Sequence, residues 1–131
     1  MPEKRYGFEV RHPFDQELKW FAENPTTTGM ATEDNRIILN PYVDLTDEQK
    51  EAVITNEASR LHMRSMGITP PFKLTKEQIE SFKGSPYEGN EQAMKETIVG
   101  RILSGDKSAG NFTKEQESFA NEIFRNMKLR Y

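Results

Sequence analysis

Glu57 is the residue whose type and position carry the most chemical information. At roughly 100° per residue, Val53, Ile54, Ala58 and Leu61 form the apolar arc of one long helix, and Glu57 falls in the middle of it. Burying a lone carboxylate is costly, so it needs a partner. Arg60 lies three residues on and Arg64 seven residues on, beside the same stripe. An arginine fork is the best available match for a carboxylate. Three readings are open at this point. One is a partly exposed ion pair on a helix with a narrow core stripe. Another is a buried Glu57–Arg60 or Glu57–Arg64 pair that fixes how the helix docks. The last is a functional carboxylate, acting as a general base or a metal ligand.

The elements that must position Glu57 are legible around it. Thr26 to Thr32 is β-prone, Glu33-Asp34-Asn35 offers a turn, and Arg36 to Asn40 returns as a strand. This predicts a hairpin, with Ile37 and Leu39 on one face and Ile38 on the other. A short link, Pro41 to Leu45, leads into a helix predicted over Asp47–Met66 and stopped by Gly67.

Strand, link and helix with a central glutamate resemble the core of a minimal zincin metallopeptidase, whose helix carries H-E-x-x-H. In this chain Asn56-Glu57-Ala58-Ser59-Arg60 stands at that place. Glu57 matches the base position, while Asn56 and Arg60 occupy the two ligand positions. Asparagine is a poor zinc ligand and arginine is none. The resemblance therefore implies a degenerate, metal-free relative that keeps a scaffold without its reaction. Arg60 would place a fixed positive charge where the metal would be.

Three helix starts share one device: Thr46-Asp47-Glu48-Gln49, Thr75-Lys76-Glu77-Gln78 and Thr113-Lys114-Glu115-Gln116. The threonine caps the third helical amide and the glutamine reaches back to the threonine amide. Leu74 and Ile79 are placed to staple the second. A short amphipathic helix starts near Phe14, with Leu18, Phe21 and Ala22 facing the core and Pro25 ending it. Further helices are predicted from about Asn90 to Ser104, where Gly100 permits close packing, and from Lys114 to about Lys128. Residues 1–13 are expected to be extended. The fold class predicted is α+β: a mainly helical single domain, residues 1–131, with a small antiparallel β-hairpin or sheet near a long central helix.

Composition narrows the function classes. The 131 residues suit one domain. There is no cysteine, so no disulfide or Cys-based zinc site. Residues 1–70 carry 8 of the 18 basic and 12 of the 21 acidic residues, leaving 10 and 9 for the remainder. Neither part is a basic arm, so nucleic acid is not an expected partner. No apolar run approaches a membrane span or follows the N-terminal charges as in a signal peptide. The expected location is cytoplasmic, or a virion.

His12 and His62 are the only histidines, and no motif gathers partners around either, so surface or capping roles are expected. Gly105 to Gly110 contains a Lys-Ser but not a phosphate-binding spacing, and reads as a helix cap and loop. Pro70-Pro71 reads as a stiff linker. Tyr6, Phe8, Phe14 and Trp20 are core residues or an exposed docking surface.

Asn56-Glu57-Ala58, with Arg60, Met63 and Arg64, and the closing Gly100-Arg101-Ile102-Leu103-Ser104-Gly105-Asp106 resemble small bacteriophage-type proteins. That resemblance implies a virion or assembly component. The expectation is thus a non-enzymatic structural or interaction protein, without cofactor or metal, contacting virion proteins or itself. One alternative is a metal-dependent hydrolase with Glu57 as general base and the metal held by Glu88, Glu91 or Glu96. Another is a small module that sequesters a partner through its aromatic N-terminal segment.

Overall fold

The computed structural model describes residues 3–105 and 111–130. The elements run β1 (Glu3–Arg5), β2 (Phe8–Val10), α1 (Asp15–Glu23), β3 (Gly29–Ala31), β4 (Ile37–Leu39), α2 (Asp47–Met66), α3 (Lys76–Ser81), α4 (Glu91–Ser104) and α5 (Lys114–Arg130). The α+β class holds. The Gly105-to-Gly110 loop, apart from Gly105 as the left-handed cap of α4, lies outside the described residues.

The sheet is larger than a single hairpin. Its order is β1-β2-β4-β3. The predicted hairpin is present as antiparallel β3 and β4, with Met30 opposite Ile38. The N-terminal segment, expected only to be extended, folds into a second hairpin. Tyr6 and Gly7 make its two-residue turn, both with positive φ (52° and 82°). That left-handed pair matches the twist of the flanking strands. The hairpins join through a parallel contact of Val10 with Ile37, and the Arg11 amide donates to Ile37 O at 3.0 Å. Phe8 thereby enters the core cluster.

Helix α1 is anchored less deeply than its pattern predicts. Phe21 is buried, but Phe14 and Ala22 are exposed. Phe14 offers no capping oxygen, so Glu17 reaches back to its amide at 2.7 Å. The Arg11 guanidinium forks onto the same carboxylate at 2.7 and 2.9 Å.

Helix α2 runs between the sheet and the α4–α5 layer. Thr46 Oγ accepts from Gln49 N at 3.1 Å, and Gln49 Oε1 accepts from Thr46 N at 2.8 Å. Gly67 closes it at φ 66°. Glycine sits against α2 on both sides. A Cβ on Gly29 would lie 2.5 Å from Val53 Cγ1, and one on Gly100 would lie 1.9 Å from Asn56 Oδ1. The core fills the rest of both interfaces, with Ile37, Ile54, Ala58, Leu61, Ile98 and Ile123 among its members.

The second and third capping boxes do more than cap. Gln78 and Gln116 are both fully buried, and each carboxamide donates to the other's oxygen, at 2.7 and 2.8 Å. Each oxygen also accepts its own threonine amide, Thr75 N and Thr113 N, at 3.0 Å. Gln116 Nε2 donates further to Lys73 O at 2.9 Å. Ile79, expected to staple the helix start, is about half exposed, and α3 docks through Gln78 and Phe82. Replacing Gln78 with Leu removes one cap bond and orphans part of Gln116, a loss of about 2–4 kcal/mol. Denaturant unfolding of Gln78→Leu should show a lower midpoint with an unchanged slope.

Candidate functional site

The Glu57 carboxylate is buried among α2, β3 and α4. Gly29 lets α2 lie close to β3, and one turn further along α2 the Ala31 backbone amide is directed at the carboxylate. Arg60 Nε lies 3.5 Å from Glu57 Oε1, with both side chains almost out of solvent. The rest of Arg60 is held by α4 and the loop before it. Its Nη2 donates to Thr97 Oγ1 at 3.0 Å, Thr97 donates on to Ala93 O at 2.8 Å, and the guanidinium lies 5.2 Å from the Tyr87 ring centroid. The Glu57–Arg60 pair is therefore buried rather than partly exposed.

The pair is an imperfect one. Arg60 Nε, although buried, makes no hydrogen bond, and neither does Asn56 Oδ1 one turn before it. With the charge attraction not completed by a hydrogen bond, burial dominates. It raises the Glu57 pKa above 4.5 against the opposing pull of Arg60, Arg64 and the Ala31 amide.

Arg64 does not join Glu57 as a contact partner. It turns to α4, where Nε lies 3.6 Å from Glu96 Oε1, while Gln92 donates to Glu96 Oε2 at 3.0 Å. The other carboxylates considered as ligands go elsewhere. Glu91 pairs with Lys95 at 3.2 Å, and Glu88 accepts from the Gly84 amide at 3.4 Å. Among the described residues, no three His, Asp or Glu side chains converge as a metal-binding group. His12 is exposed, as expected. His62 is not at the surface: it lies on the inward side of α2 and is only 2% exposed.

The four N-terminal aromatics separate into two pairs. Phe8 is core, and Tyr6 packs edge-on against Phe124 of α5, with centroids 6.1 Å apart. Phe14 and Trp20 stay outside. Phe14 is 61% exposed under the Arg11 guanidinium at 3.8 Å, and Trp20 meets Phe21 edge-on.

A more organised exposed aromatic was missed in the sequence. Tyr42, 60% exposed, borders a cleft of about 970 Å³ whose lining mixes Val10, Leu39, Val43 and Leu45 with the charged Glu9, Arg11, Asp44 and Lys50. Its backbone is fixed by Asn40, which is buried. Asn40 Oδ1 accepts from Tyr42 N at 2.9 Å, its Nδ2 donates to Thr27 O at 2.7 Å, and its amide donates to Thr28 O at 2.9 Å. The available signal was Asn-Pro-Tyr immediately after a strand, since asparagine there bonds the amide two residues on.

No protein-family model, curated protein or solved structure matches the chain. Among the described residues, no helix is long and apolar enough to cross a membrane.

The raised Glu57 pKa has a definite sign. Its folded value exceeds its unfolded one, so its stabilising contribution is complete below about 4.5 and is lost as pH rises through the folded value. Glu17, Asp34 and Glu51 act oppositely: hydrogen bonds from Arg11, Thr32 and Arg5 respectively hold them low. The native protein minus Glu57→Gln isolates the Glu57 effect. Measured in denaturant from about pH 4 upward, that difference should fall once pH passes the unfolded value and level off above the folded one. A rising difference would mean that the Arg60 attraction outweighs burial.

Proposed function

We propose that this protein works by contact, as a non-enzymatic structural or interaction component, and that the cleft bordered by Tyr42 is its contact surface. The observation that carries this reading is the presentation of Tyr42. A large amphipathic ring is held out on a turn locked by Asn40, beside a cleft lined by both aliphatic and charged side chains. Tyrosine suits such a place because it supplies contact area at a small cost in side-chain freedom. The exposed rings of Phe14 and Trp20 add apolar surface outside the core.

The buried pair fits the same reading. Glu57 stands where a zincin-like scaffold would carry its base, yet Arg60 and the Ala31 amide face it, and Arg60 is tied to Thr97. This makes it a docking element for α2. The resemblance to small bacteriophage-type proteins favours a virion or assembly partner, including further copies of the chain.

Cross-linking in the native source tests this. The protein should give a discrete adduct whose linked peptides include residues 39–45. Tyr42→Arg should retain its thermal midpoint within about 2 °C, as expected of a surface change. It should weaken the adduct by roughly tenfold, the effect of a central interface aromatic. Adduct formation unaffected by Tyr42→Arg, or a chain that gives no adduct, would refute the reading.

A further inference from the structure

A second cleft, of about 360 Å³, opens between the C-terminal end of α2 and the start of α4. Its chemistry differs from that of the Tyr42 cleft. Glu96 lines it, although this side chain is only 4% exposed, and the cation opposite, Arg64, is 49% exposed. The two approach only to 3.6 Å, beyond hydrogen-bonding distance. Gln92 satisfies Oε2, which leaves Oε1 toward Arg64. A nearly desolvated carboxylate is thus matched by a long, half-solvated side chain that does not close a charge-assisted bond with it.

The surroundings suit a cation on an alkyl stem. Ile68 and Ala93 give apolar wall, against which methylene groups pack while the charged end seeks the carboxylate. The cleft also adjoins the last turn of α2 and its Gly67 cap, the negative end of the helix dipole. At the other side, Asn90 Oδ1 already takes the first-turn amide of Ala93 at 3.0 Å, so that helix start offers less to an anion.

We infer that this cleft is a binding site for an alkyl guanidinium, with Glu96 as its anionic partner and Arg64 as an internal occupant that a ligand displaces. The same chemistry is carried by a free guanidinium compound and by an arginine side chain of another protein.

NMR titration of the whole protein separates these sources and tests the site. The probes are agmatine and the capped peptide acetyl-Ala-Arg-Ala-amide. Both should shift amide signals of residues 63–69 and 90–96. Equal affinities identify a free cation, and tighter peptide binding identifies a protein-borne arginine. Glu96→Gln keeps an acceptor for Gln92 and should abolish binding of both. Arg64→Ala removes the competitor and should tighten binding by roughly two- to fivefold, the worth of a weak ion pair. A merely structural Arg64–Glu96 bridge predicts no such gain. The proposal is overturned if neither probe shifts those signals, if Glu96→Gln binds as well as the native protein, or if Arg64→Ala binds no more tightly.

Discussion

The close approach of α2 to both of its neighbours sets the rest of the structure. Gly29 on one side and Gly100 on the other leave no room for a Cβ, so the helix is nearer to strand and helix than ordinary side chains allow. Just beyond those two contacts, at Val53 and Asn56, the next turns of α2 are enclosed whatever their polarity. Ser59, Arg60 and His62 are inside alongside Ala58 and Leu61, and Glu57 is nearly so. The polar members must then find partners within the protein, as Arg60 does in Thr97 and Tyr87. The buried charges thus follow from a backbone spacing, and breaking such a pair is costly even where forming it adds little stability.

Much of the helical part could be read from the chain, because its signals are local. Threonine caps with glutamine at the third position and Gly67 placed α2 at its observed limits. The periodicity put Glu57 on the apolar arc, and the burial agrees with that position. Gly100 was recognised as a site of close packing, though the Asn56 side chain it accommodates was not.

The missing parts are those that depend on distant partners. Nothing near Glu57 distinguishes Arg60 from Arg64 as its companion, because the choice is made by Glu96 and Thr97 on another helix. The N-terminal hairpin depends on a left-handed Tyr6-Gly7 turn and on a parallel neighbour, β4, about thirty residues away in the chain. Parallel pairing has no adjacent turn to announce it. Tyr42 was passed over because the segment around it carries no periodicity. Its order comes from one buried side chain, Asn40, bonded to the opposite strand end.

The reciprocal Gln78–Gln116 pair makes two helix beginnings into one cooperative unit. Helix α3 has six residues, too few to persist by itself, and its first turn is completed by an amide from α5. Each glutamine holds its own cap and the other's side chain together, so neither start can fray without exposing the other's buried polar atoms. The segments around residues 73–78 and 111–116 therefore open and close as a single event, although more than thirty residues of chain lie between them.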